Sequence, residues 1–183
     1  MLKRLLIKSF FIFCFSVTLF AQQDILNFPA SGIVLDKDWK FHAGDNMNWA
    51  NQNFNDKEWQ PIDPTKDVHD LPQLKESGIG WFRLHLKIDS AILKKSLVLL
   101  IEQIGASEIY LNGNLIYSFG RIDKQDAIKT YNPESTPVSL KFDDQPFQTL
   151  AVRYAYKKIY LILFLPGELI LVFMPEYLKL TRQ

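Results

Sequence analysis

From Trp81 to Asp89 the chain reads WFRLHLKID, with Phe82, Leu84, Leu86 and Ile88 on one parity and Trp81, Arg83, His85 and Lys87 on the other. Strict alternation predicts a strand with one face buried and the other in water. On this reading His85 is an ordinary surface residue. Ile33–His42 predicts a first strand. Leu97–Ile104 is almost continuously apolar and suits a central strand covered on both sides, or a short buried helix. The flanking strands favour the strand. Ser107–Phe119 predicts a hairpin, because Asn112-Gly113 supplies the two positive-φ residues of a type I′ turn between two apolar runs. Val138, Leu140 and Phe142 alternate as a further strand, and Leu150 and Val152 mark another.

Between these runs, Gly44–Asp70 is polar and irregular, dotted with Trp49, Phe54 and Trp59. A structureless loop of that length is out of place in a compact domain, so the aromatics are expected to pin it. No helix of ordinary length stands out between Gln22 and Tyr154. Short strands separated by turn signals predict an all-β sandwich or jelly roll.

The N-terminus changes the picture. Lys3, Arg4 and Lys8 form a basic start, Phe10–Phe20 an apolar stretch, and Ala21 a small residue at a cleavage point. This is the pattern of a secretory signal peptide over 1–21. The apolar run is short for a membrane span, which takes about 20 residues. It implies an exported, periplasmic protein. The formal net charge of +1 gives no reason to expect nucleic acid as a partner. The one cysteine, Cys14, lies inside the signal, so the rest of the chain has neither disulfides nor thiol chemistry available.

Several motifs occur in a telling order: Trp39-Lys40-Phe41-His42 with Gly44-Asp45, then Phe54-Asn55-Asp56 and Trp59. Gly80-Trp81-Phe82-Arg83, Ile109-Tyr110-Leu111-Asn112-Gly113 and Leu150-Ala151-Val152-Arg153 follow. This order resembles the galactose-binding-like jelly roll at the N-terminus of β-galactosidases and β-glucuronidases. It resembles still more the version that opens bacterial membrane sensors, where a signal peptide and jelly roll precede transmembrane helices and a histidine kinase or phosphatase. The resemblance runs from about Asp36 to Tyr154 and implies a galactose-binding-like jelly-roll domain over 22–155. Such sensors continue well beyond this point, which marks the chain as a short or truncated member.

After Tyr156 the character shifts to YKKIYLILFLPGELILVFMPEYLKLTRQ. Three readings of 156–183 compete. The first is out-of-frame sequence, which fits the lack of alternation. The second is a hairpin about Pro166-Gly167, a good type II turn pair. The third is membrane association, against which Glu168 stands in mid-run.

Catalytic chemistry has little footing. The three histidines, His42, His69 and His85, show no metal-ligand spacing, and no nucleophile elbow occurs. Asp36, Asp38 and Asp45 are of the type that holds calcium, but such residues more often cap turns. No cofactor and no metal are expected. The tryptophans suit carbohydrate, since an aromatic face stacks on a sugar's C–H surface while polar neighbours hold hydroxyls. Trp39 and Trp59 match core-anchor positions of the resembled family. Trp49, in the polar loop, is the freest aromatic, and Trp81 beside Arg83 is the alternative. The expected ligand-binding residues are therefore Trp49, Trp81 and Arg83, with Arg153 paired to an acid. The leading reading is an exported, non-catalytic binding domain of the sensory type, with a small carbohydrate or other small molecule as ligand and a membrane sensor as partner. The alternatives are a sugar-binding accessory domain of a glycoside hydrolase, or a non-functional truncated remnant.

Overall fold

The computed structural model describes residues 23–25, 32–66, 71–95, 97–123, 128–134, 136–156, 159–165, 168–174 and 178–179. The signal segment, His69 and the Pro166-Gly167 turn lie outside these. In chain order the strands are β1 (Gln23–Ile25), β2 (Trp39–Ala43), β3 (Gln60–Ile62), β4 (Ile79–Ile88), β5 (Leu97–Leu99), β6 (Glu102–Gln103), β7 (Ala106–Leu111), β8 (Asn114–Phe119), β9 (Arg121–Ile122), β10 (Ile128–Lys129), β11 (Val138–Leu140), β12 (Phe147–Ala155), β13 (Ile159–Leu165), β14 (Glu168–Met174) and β15 (Leu178–Lys179). Two short helices interrupt them, α1 (Pro72–Ser77) and α2 (Ser90–Leu93). The fold is an all-β sandwich.

Its main sheet has the order β3-β2-β4-β12-β7-β8, with β1 added in parallel beside the end of β4. Register places one apolar row across the sheet: Phe82 lies opposite Val152 and Phe41, and Leu84 lies opposite Leu150 and Trp39. That face packs on Leu97, Leu99, Val138 and Leu140 of the β5–β11 ladder, on Ile92 of α2, and on Leu71 and Leu74 around α1. The helices are short for local reasons. Pro72 opens α1 and Gly78, in the left-handed region, closes it, while Asp89 caps α2 by accepting the Ala91 N–H at 2.8 Å.

The hairpin forms as its turn chemistry requires, with Asn112 at φ 51° and Gly113 at φ 85°. The first strand is shorter than expected, because Asp38 has φ 62° and breaks extended backbone just before Trp39. The 97–104 run is not a central strand. It divides into β5 and β6, and β5 pairs only with β11, which leaves Val98 55% exposed. In the tail, β13 and β14 pair antiparallel from Ile159↔Met174 to Leu165↔Glu168. No helix among the described residues is long and apolar enough to cross a membrane.

The expectation of a wet second face on β4 needs correction. The segment between β2 and β3 folds over it. Trp59, Trp81, Tyr110, Ala50 and Ala151 form a second apolar cluster there, with Trp49 and Phe54 packed against it. Both faces of the central strands are thus covered, one by the sandwich and one by a loop.

Candidate functional site

The covering loop is held by ions. Asp56, 3% exposed, receives Arg83 Nε at 2.8 Å and Lys40 Nζ at 3.0 Å, and His85 Nε2 lies 2.7 Å from its carboxylate. Burial pushes the Asp56 pKa up, but the hydrogen bonds from His85, Arg83 and Lys40 outweigh it and hold the carboxyl well below the usual range. Arg83 is 0% exposed, and it also donates to the Trp49 carbonyl. Its guanidinium lies 5.7 Å from the Phe54 ring centre and 6.0 Å from that of Trp59. A second clamp ties the loop's start to β12. Arg153 donates to Asp45 through Nε at 2.8 Å and Nη2 at 2.6 Å, and through Nη1 to Glu108 at 3.0 Å. Burial opposes the Arg153 charge, but Asp45 and Glu108 raise its pKa. Tyr110 donates to the same Glu108 at 2.7 Å, and burial with that bond drives its phenol pKa up.

The expected ligand residues therefore sit elsewhere than a ligand surface. Trp81 and Arg83 are fully buried, Trp81 in the second cluster and Arg83 in the ion network. Trp49 is half-buried among rings: His42 at 4.6 Å, Trp59 at 5.3 Å and Trp81 at 6.4 Å. It staples the loop to the sheet. Arg153 pairs with acids, as expected. His85 is not an ordinary surface residue, for it bridges Asp56 and the Thr149 hydroxyl, the latter at 3.3 Å from Nδ1. Among the described residues no group of three or more His, Cys, Asp or Glu is placed to hold a metal.

An open cleft of about 400 Å³ lies beside this network. One wall is the loop from Gln52 to Lys57; the other is Phe147–Thr149 at the start of β12, with His85 and Leu86 of β4 between them. The loop wall is shaped by Asx turns, in which the Asn51 and Asn55 side chains accept the N–H two residues on at 2.9 and 3.2 Å, and Asn46 caps the preceding 3-10 turn, Met47–Ala50, in the same way at 3.0 Å. The walls touch where Gln52 Nε2 donates to the Phe147 carbonyl at 3.3 Å. Phe147 is 56% exposed, with Asn53 and Asn55 also open to solvent. The reading from sequence missed all of these. The aromatics pointed to an ordered loop, and the spaced asparagines at 51, 53 and 55 are the signal in the sequence for its polar wall.

Carboxamides donate and accept, as sugar hydroxyls do, and an exposed ring offers an apolar platform. Among the described residues Asp56 is the one acid lining the cleft, and its oxygens are already taken by three partners. In the carboxylate–imidazole–hydroxyl series Asp56, His85 and Thr149, the Asp56 carboxylate is shared with Arg83 and Lys40, and Thr149 is buried.

Comparison with known proteins bears first on the fold. No family model matches the chain. A glycoside hydrolase family 2 member from Bacteroides cellulosilyticus superposes with TM-score 0.52 at 21% identity, covering 69% of this chain and 18% of that one. A β-glucuronidase of the same hydrolase family gives 0.52 at 16% identity, covering 68% and 14%. These likenesses show the β-sandwich fold. Among curated proteins, Beta-galactosidase BoGH2A of Bacteroides ovatus is 32% identical over 91 residues, which is 42% of this chain. The chain spans about a tenth of that enzyme's length, matching 10% of it. These findings favour the glycoside hydrolase side of the resemblance, and the sensor reading gains no support from them.

Proposed function

We propose that this chain is a non-catalytic, carbohydrate-binding accessory domain of the kind found in family 2 glycoside hydrolases, with its sugar site in the cleft between the 52–57 loop and Phe147–Thr149. The observation that carries this reading is the placement of an exposed Phe147 opposite the carboxamides of Gln52, Asn53 and Asn55. The sequence similarity to BoGH2A supports it. Glycoside hydrolysis uses two carboxylates roughly 5 to 10 Å apart. This cleft offers only Asp56, already tied to cations, so the site is suited to binding rather than bond cleavage. An exported setting belongs to the same reading and rests on the signal pattern of Met1–Ala21.

Isothermal titration of the chain with methyl β-D-galactopyranoside and with D-glucuronate tests it. We expect saturable heat with at least one sugar. Phe147→Ala should abolish that heat while leaving the melting temperature within error, since the ring is largely in water. A flat titration with both sugars, or an unaltered one in Phe147→Ala, overturns the assignment.

A further inference from the structure

The Asn112-Gly113 turn has a use beyond reversing the chain. The Asn112 side chain leaves its own hairpin and enters the wall of the cleft. Its Oδ1 accepts the backbone N–H of Thr149 at 2.8 Å, and its own N–H donates to the Thr149 carbonyl at 2.9 Å. Its Nδ2 donates to Gln148 Oε1 at 2.5 Å and to Asp143 Oδ2 at 3.0 Å. Gln148 in turn donates to Asp143 Oδ1 at 2.6 Å. Thr149 continues the chain of contacts to His85 and so to Asp56. On the other side of the tip, Gly113 faces the backbone of Ala50–Gln52, which a Cβ at this position would meet at 3.6 to 3.7 Å. The two-residue turn thus stands between the Gln148–Thr149 wall and the start of the loop that forms the other wall.

We propose that Asn112 is a positioning residue for the cleft: its carboxamide fixes Gln148 and Thr149, and through the turn sets their spacing from the 50–52 segment. The inference rests on the cleft being the ligand site of the proposed function. A residue serving only the turn would need no more than tolerance of φ 51°, which glycine supplies. The extra hydrogen bonds are what the proposal explains.

Asn112→Gly separates the two roles, because it keeps the turn and removes the carboxamide. We expect the hairpin to survive by circular dichroism, exchange of the Thr149 amide proton to quicken at least tenfold, and affinity for methyl β-D-galactopyranoside to fall roughly tenfold, the scale of one lost buried polar contact. Asn112→Asp keeps an acceptor for Thr149 but loses the donors to Gln148 and Asp143 and sets a second carboxylate against Asp143. It should protect the Thr149 amide better than Asn112→Gly does and still weaken binding. Unchanged Thr149 exchange in Asn112→Gly overturns the proposal, whatever the affinity does. If the wild-type chain binds neither sugar, the proposed function fails, while the exchange measurement still decides whether Asn112 fixes this wall.

Discussion

Replacing Asp56 by asparagine tests the covering loop most directly. The carboxylate is the single anion among Arg83, Lys40 and His85, all within 3.0 Å. In Asp56→Asn the guanidinium of Arg83 stays buried with its charge uncompensated. Breaking a buried pair from one side costs about 3–5 kcal/mol. The ring faces of Phe54 and Trp59 already flank Arg83 in the wild type, so their cation–π attraction is common to both proteins and does not reduce the loss. A loss of about 3–5 kcal/mol is expected, which with an ordinary urea slope lowers the denaturation midpoint by about 1–3 M. Arg83→Met in the same background should recover part of that loss, because it removes the orphaned charge. The pH dependence carries its own sign. The folded carboxyl is held below its ordinary range, so its contribution is complete above the unfolded pKa and drains away as pH falls towards the folded value. The wild type should therefore lose stability on acidification from about pH 5 downward, and Asp56→Asn should lose less over that interval. A midpoint shift under about 0.3 M, or identical acid profiles, would refute the reasoning.

Phe82→Ala should cost about 3–5 kcal/mol in chemical denaturation, because the ring lies in the sandwich core. His85→Ala should cost about 1–2 kcal/mol, rather than the negligible amount of a surface histidine, since it bridges Asp56 and Thr149; an unchanged midpoint would remove it from the network. Gly113→Val should lower the melting temperature by several degrees, roughly 1–3 kcal/mol, because a β-branched residue is strained at φ 85°. Gly105→Ala should destabilise comparably, by about 1–3 kcal/mol, as its Cβ would clash with the Ala155 carbonyl oxygen. A soluble, wild-type-stable Gly105→Ala protein would contradict that close approach.

The parts of this molecule written in local pattern were legible, and the parts written in distant pairs were not. The alternation of Phe82, Leu84, Leu86 and Ile88 and the Asn112-Gly113 turn depend on neighbours two residues away, and both formed as expected. Arg83 and His85 read as solvent-facing because charge ordinarily seeks water. Their compensation comes from Asp56, 27 and 29 residues earlier, and the loop's other clamp joins Asp45 to Arg153 across 108 residues. No window along the chain contains those partners. Trp49 was read both as a pin for its loop and as the freest aromatic for a ligand, and the rings that enclose it, which decide for the pin, arrive from β2 and β4. The cleft was missed because its exposed ring, Phe147, lies beside the loop only through the pairing of β12 with β4.

The loop over β4 also divides the chain's spectroscopic reporters. Of the four tryptophans, Trp49, Trp59 and Trp81 sit under or within that loop, and Trp39 alone belongs to the sandwich core. Intrinsic fluorescence is therefore weighted towards docking of the loop, whereas far-ultraviolet circular dichroism follows the strand ladders. The clamp partners Arg83 and Arg153 lie on the adjacent strands β4 and β12, so the loop finds its docking site only once those strands have paired. In stopped-flow refolding the two signals would then follow different clocks, with the emission change trailing the dichroism by the time the loop takes to find Arg83 and Arg153.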